Sequence, residues 1–520
     1  MSRLIVAQSV ASGPEGSDAV EIRGDRIVAV GSAAELRRPG LVEERFPGAF
    51  IAPGLRDAHF HPVPYAATLA GIGLKDAADL AEVTARIADA AASTTGPVLG
   101  LRLDDESLAE GRLPVRDELD AALPDRPVLL KRYCGHVAVA NTVALIAGRI
   151  DASTPDPPGG TIDRDAAGVP TGVLRETAID LVATALDVSA LVDAPTLVDA
   201  MAGLAGLGLT SIGAMLGLGN GPWASLGDEV ALVVAAAGDL PIRLHGFVIA
   251  RSTADLEDAA ARLSEAGPKV RWAGVKLFAD GSLGGHTAAL CRGYHDAPGS
   301  TGMLRLTDED VALAAAALDL GGDVAIHAIG DRACHEVLDV FEGFVAGGID
   351  PRRLRLEHAS VLLPDDVTRI ADLGIVASVQ PAFLASETTW LERRVGPERL
   401  PLTYPLRSLL DAGALLAGGS DCPVEPPHPL WGMAAARDRA GIWPAERLDA
   451  GEALALFTTG AAAAMGEAPP LAVGSPADLV VLDVDPLAAT PDELRRAGVD
   501  ATYVGGAEVL VDRERPVWRG

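Results

Sequence analysis

Cysteine is scarce in this chain. Its 520 residues hold four, Cys134, Cys291, Cys334 and Cys422, widely spaced and with no C-x-x-C pair. That argues against a disulfide framework and fits a reducing compartment. Aromatic residues make up only 4%, so core volume must come mainly from Leu, Val, Ile and Ala. Basic residues are outnumbered, 43 Lys and Arg against 72 Asp and Glu, for a formal net charge of −29. So acidic a chain repels nucleic acid and anionic membrane surfaces, and no basic run offsets the deficit. No stretch of about 18 uninterrupted apolar residues exists, so no membrane span is expected. The apolar run at the N-terminus is too short for a signal-peptide core. The expectation is a cytoplasmic protein with a small-molecule substrate and no nucleic-acid or membrane partner. A homodimer is compatible with it.

What the chain has is size and apolar content. It is 49% hydrophobic and 22% charged, a foldable composition. Its length exceeds one ordinary core, so two or more structural units are expected. Residues 3–52 alternate short β-like runs (4–6, 19–22, 26–30) with turns, and 478–482, 501–504 and 508–511 look similar. Two β-rich ends, 1–52 and 466–520, predict one small sheet domain built from both termini. The middle, 53–465, alternates strand-like and helix-like segments, the pattern of parallel α/β folds. Eight strand candidates stand at 49–59, 209–214, 242–249, 270–280, 323–328, 354–358, 375–380 and 414–421. Eight β/α units fit a closed (β/α)8 TIM barrel. The gap between the first two strands is far longer than an ordinary crossover, so residues 62–200 read as a lobe inserted over the barrel mouth.

The chemistry gathers at the strand ends. The first strand runs into Asp57-Ala58-His59-Phe60-His61. Residues two apart on a strand share a face, so His59 and His61 can aim two imidazoles at one metal ion. Asp57 shares their parity, and serves either a histidine ring or the turn. His327, His358 and Asp421 end later strands, and polar groups at the C-terminal ends of barrel strands converge on the mouth. Lys276 lies inside the apolar run 272–280, where an unpaired ammonium is costly to bury. It is either snorkelling or ion-paired, as to Asp280, or it has been converted by CO2 into a carbamate. Trp390 lines the mouth or packs in the core. His245, Cys334, His335 and Cys422 read as packing or loop residues.

Pro53-Gly54-Leu55-Arg56-Asp57-Ala58-His59-Phe60-His61 resembles the opening motif of the amidohydrolase superfamily. The segments 275–284, 327–333, 356–358 and 419–421 resemble its YtcJ-like branch, amidohydrolase family 3, which includes N-substituted formamide deformylase. Cys134-Gly135-His136 with Asn141, and 171–176, look like features of the family's inserted lobe. The resemblance runs from about residue 3 to residue 485. It implies a (β/α)8 barrel, a terminal β-sandwich and one or two divalent metals, usually zinc. It implies that His59 and His61 bind one metal and His327 and His358 a second. A carboxylated Lys276 would bridge them, and Asp421 would be a metal ligand and the catalytic acid/base. His136, Glu176, Asp280, His286 and Asp331 are candidates for contact with substrate. His136 and Glu176 read equally as loop-ordering residues, Asp280 and Asp331 as helix caps. Two departures stand out. His286 occupies a position where relatives often carry Arg, and the turn 473–478 lacks the usual Lys after Gly474.

The expected activity is metal-dependent hydrolysis of a C–N bond in an amide, formamide or cyclic amide. A deaminase of a small amine or heterocycle is the first alternative. A catalytically silent scaffold or binding protein is the second, and it should have lost metal ligands; all six positions are filled.

Overall fold

Pro53-Gly54 divides what the sequence reads as one strand, 49–59, into two. Phe50–Pro53 joins a terminal sheet, and Leu55–Phe60 opens the barrel. Gly54 is required at the break, because a Cβ there would stand 2.5 Å from Thr210 Cγ2. The computed structural model describes residues 2–93, 95–133, 135–186, 192–218 and 227–509. Cys134 and the ends of the 508–511 and 466–520 segments lie outside the described residues.

Eight strands form one sheet: β1 Leu55–Phe60, β2 Leu209–Gly217, β3 Arg243–Ile249, β4 Val270–Phe278, β5 Asp323–Ala328, β6 Leu354–His358, β7 Val376–Val379 and β8 Leu415–Gly418. Each lies parallel beside its neighbour in sequence. The two edges meet just beyond β1 and β8. Phe60 and Cys422 form a parallel bridge. Asp421 N–H donates to His59 O at 2.8 Å, and His61 N–H to Cys422 O at 2.9 Å. This is a (β/α)8 barrel. Helices Glu229–Ala236, Thr253–Glu265, Asp308–Asp319, Asp331–Ala346, Pro364–Leu373 and Leu406–Asp411 follow β2 to β7. Their ends carry local signals. Thr307 and Asp310 form a capping box at one start, and Gly374, at φ 73°, ends another.

Alternation divides each barrel strand. Val324, Ile326, Leu354 and Leu356 pack into the main apolar core. Ala325 and His327 pair in register with Arg355 and Glu357 on the other face. The barrel interior therefore holds charge, and the buried Arg355 guanidinium lies 4.5 Å from the Phe247 ring centroid.

Between β1 and β2 the chain builds a six-stranded sheet in the order Gly160–Arg164, Pro170–Glu176, Val137–Ala140, Val128–Arg132, Val98–Leu103, Ile72–Gly73. One face packs its own core around Val83, Ile87, Val98, Leu130 and Val139. Leu129, Ala138 and Leu174 on the other face join the barrel core. At the termini, Phe50–Pro53 lies between Ser9–Val10 and Leu479–Leu482, so one sheet combines both ends of the chain. Ser2–Val6 belongs to a second sheet, and the two share Ile5, Val20, Ile51, Leu479 and Tyr503 in one core. No helix among the described residues is long and apolar enough to cross a membrane.

Candidate metal centre

His59 and His61 do not share a strand, contrary to the sequence reading. β1 ends at Phe60, and His61 caps the helix Pro62–Ala70. Pro62 has no N–H to continue the ladder and suits the first helical turn. Barrel closure still brings both rings to Asp421. Its Oδ1 lies 3.3 Å from His59 Nε2 and 3.1 Å from His61 Nε2. The three ligand atoms lie within 4.8 Å of one another.

The protonation pattern around His59 matters most. Glu357 Oε2 is 2.6 Å from His59 Nδ1, and Arg355 Nε donates to Glu357 Oε1 at 2.8 Å. An ionised carboxylate only accepts, so Nδ1 carries the ring proton and Nε2 presents a lone pair. That lone pair faces Asp421 Oδ1, another acceptor. Two acceptors so opposed call for a cation between them, and two imidazoles with a carboxylate suit a divalent metal.

Three more groups complete the rim. Lys276 Nζ is 3.2 Å from His59 Nε2; among the described residues no ion pair joins it to Asp280. His327 and His358 stack edge to face with ring centroids 4.5 Å apart, and His358 lies 4.9 Å from His59. Gln380 Oε1, 2.8 Å from His358 Nδ1, fixes that ring. His327 Nε2 is 3.0 Å from Gly281 O and 3.3 Å from Asp280 Oδ1. His358 and Asp421 both take left-handed backbone, φ 74° and 55°. Such strain in non-glycine residues persists only where the surroundings impose it.

Burial sets the charge states. It takes His59 and His327 well below their ordinary 6.5, with Lys276 adding to the effect. Burial, then His327, takes His358 to about 3. All three are therefore neutral, the form that binds metal. Burial alone would raise Asp421, but the histidine cluster around it, with the His61 ring in contact at 3.1 Å, holds its carboxyl well below the usual range. Burial draws Lys276 down to about 8.

A cavity enclosing about 1090 Å³ of atom-free space, counted to its open mouth, takes in His61, Lys276, His327, His358 and Asp421. Of the residues expected to touch substrate, His136 reaches the wall, with its ring 5.5 Å from that of His327. The other four are not among the lining residues. Glu176 is buried behind His136, with Oε2 3.1 Å from His136 Nδ1 and 3.3 Å from Arg305. Asp280 is consumed by the amides of Ala289, Ile329 and Gly330 at 2.8–3.0 Å. Asp331 opens its helix and accepts from Cys291 N at 2.7 Å. His286 meets Asp296 at 3.1 Å and accepts from Arg394. Asp57 does not touch a histidine ring. Its carboxylate accepts the amides of Ser420 and His59 at 3.1 Å, tying β1 to the segment after β8. Gly419 permits that approach, since a Cβ would stand 2.8 Å from His59 N. Trp390 packs in an apolar cluster with Phe383 and Leu391.

Sequence reasoning missed the supporting groups Arg355, Glu357 and Gln380. Two charges two residues apart in an apolar strand were the available signal for the first pair. It also missed Arg102, Lys131, Arg132, Glu387 and Glu425 on the cavity wall, which loops and the six-stranded sheet bring in from afar.

Comparison with known proteins agrees with the barrel fold. The amidohydrolase family matches residues 47–510. YtcJ of Bacillus subtilis (strain 168), an amidohydrolase by name, is 33% identical over 94% of this chain and 95% of its own length. The N-substituted formamide deformylase of Arthrobacter pascens is 32% identical over 94% of each chain. A solved structure from Pyrococcus horikoshii OT3, described as an uncharacterized metal-dependent hydrolase, superposes with a TM-score of 0.76 at 27% identity. That match covers 95% of this chain and 99% of the other.

Proposed function

This chain belongs to the amidohydrolase family, and from that premise we propose that it is a metal-dependent hydrolase cutting the C–N bond of a small amide, formamide or cyclic amide. The observation that carries the reading is the pair of acceptors, His59 Nε2 and Asp421 Oδ1, facing each other at 3.3 Å. His59, His61 and Asp421 would hold one divalent ion, and zinc suits that donor set. His327 and His358 offer imidazoles for a second. Lys276 adjoins His59 and, drawn down to about 8, keeps a share of neutral amine. That amine can add CO2 and release one proton, giving a carbamate anion that would add a ligand to the site.

A metal held here would supply polarisation of the substrate carbonyl and would lower the pKa of water to roughly 7. Asp421 accepts the proton of the attacking water and returns it to the leaving nitrogen, acting as general base and then acid. Glu357 keeps the His59 lone pair aimed at the centre, and Gln380 does the same for His358. Leu101, Phe278, Ile329, Phe383 and Val424 give the cavity an apolar wall that suits an organic substituent on the amide. The formamide deformylase relative supports this choice of bond. The 72–176 sheet supplies part of that wall and so shapes which substrates enter.

The test is a panel of N-formyl, N-acyl and cyclic amides incubated with metal-replete protein. Amine and acid should be released, activity should vanish on chelation, and it should return with metal. Absence of retained metal after metal-replete purification would sink the mechanism. Ammonia released from a heteroaromatic amine, with no amide cut, would replace it with deamination. Native mass spectrometry should find one added CO2, mapped to Lys276.

A further inference from the structure

The cavity wall carries a cation that the mechanism does not use. Lys131 lies on the strand Val128–Arg132 of the six-stranded sheet built between β1 and β2. Leu130 on that strand turns into the sheet's own core, whereas Leu129 turns toward the barrel. Lys131 shares the parity of Leu129. It is only 5% exposed, and it lines the cavity. Among the described residues no hydrogen-bond or ion-pair partner meets its ammonium, and its nitrogen opens on the cavity rather than being sealed in the core. Asp180 and Glu229 are the acidic groups whose fields reach it, neither within ion-pair distance. Glu229 Oε2 accepts the amide of Gly217 at 2.8 Å.

The other charged groups on the wall are engaged. Arg132 Nε donates to Asp105 at 2.6 Å, and Arg102 Nε donates to Pro423 O at 2.6 Å. Glu387 accepts from the Tyr404 hydroxyl at 2.7 Å, and burial pushes it up to about 8, so it is uncharged at neutral pH. Glu425 accepts from Ser386 and lies 3.7 Å from Lys75. An ammonium without a protein partner on a largely apolar wall gives up part of its hydration at a cost. A ligand bearing the opposite charge removes the penalty. We infer that the substrate carries a carboxylate or similar small anionic group set apart from its scissile amide, and that Lys131 binds it. This deepens the amide-hydrolase reading and rests on it for the word substrate. The anion subsite itself can be tested without turnover.

The probes are 4-phenylbutyrate and its uncharged counterpart 4-phenylbutan-1-ol, titrated calorimetrically into the full-length protein with and without bound metal. Neither has a C–N bond to cut, so failure of the hydrolase reading leaves the result intact. The carboxylate should bind at least tenfold tighter than the alcohol in both metal states, and Lys131→Met should erase the margin. Lys131→Gln is the second variant, and both should melt no lower than the parent, because a buried charge has been removed. No margin in the parent overturns the inference. So does a margin that survives Lys131→Met, or one that disappears when metal is stripped, since the anion then sits on the metal.

Discussion

The two halves of the metal centre are built differently. On one side, His59 and His61 are drawn around the Asp421 carboxylate, 3.3 and 3.1 Å from its Oδ1. On the other, His327 and His358 pack edge to face at 4.5 Å between ring centroids, held by Gly281 O and Gln380, with the Asp280 carboxylate 3.3 Å from His327 Nε2 but committed to three backbone amides. The first half has a charged ligand and a charged anchor, Glu357. The second has neither a carboxylate ligand within the tight triad nor a charged partner on His358. The difference teaches that the site is asymmetric before any metal binds. The Asp421 half should bind the tighter ion and perform the proton transfers, and the His327–His358 half should bind the looser one.

The most severe way to break that comparison is Asp421→Asn, which keeps the shape and removes the proton acceptor. Turnover should fall on the order of 10³-fold at equal metal content, with circular dichroism unchanged. Near-parent turnover would remove Asp421 from the proton path. A finer test sets Glu357→Gln against Gln380→Leu. Each alters one histidine's anchor, and loss of such a partner typically weakens metal affinity by about 10–100-fold. Competition with a chelator should show the tighter ion weakened by the first change and the looser ion by the second. Glu357→Gln should also lower Tm, because it leaves the buried Arg355 without its counter-charge. Equal effects of the two variants on both ions would abolish the asymmetry. The smallest effect is in the pH dependence of the metal-free protein. Unfolded histidines take up protons below 6.5, whereas the folded protein keeps His59 and His327 well below that value and His358 near 3. Stability from these residues is therefore complete above about pH 6.5 and is lost as pH falls from there toward 3. A Tm that rises on acidification through that window would contradict the neutral state of these rings.

Much of this was legible in the chain. The eight β/α units read from alternating apolar runs, because each strand is buried and each helix is amphipathic toward it. His59, His61, His327, His358 and Asp421 stood out because polar side chains at the ends of apolar strands need a reason to be there, and Lys276 because an ammonium inside one does. The break at Gly54 was less visible, since apolar residues continue through it and only Thr210, far along the chain, forbids a side chain there.

The sequence by itself determined the order of the barrel strands and singled out the residues proposed to carry the chemistry, since both follow from local periodicity and residue type. Only the tertiary structure decided where those residues aim. By alternation His358 would follow Leu354 and Leu356 outward, yet its backbone at φ 74° turns the ring toward His59 and His327. His61 leaves its strand altogether and reaches Asp421 through hydrogen bonds between the first and last barrel segments. Lys131 and Glu357 likewise gain their meaning from neighbours far away in the chain. Direction and partnership depend on contacts between distant segments, and a linear pattern of side chains does not encode those separately from the fold that makes them.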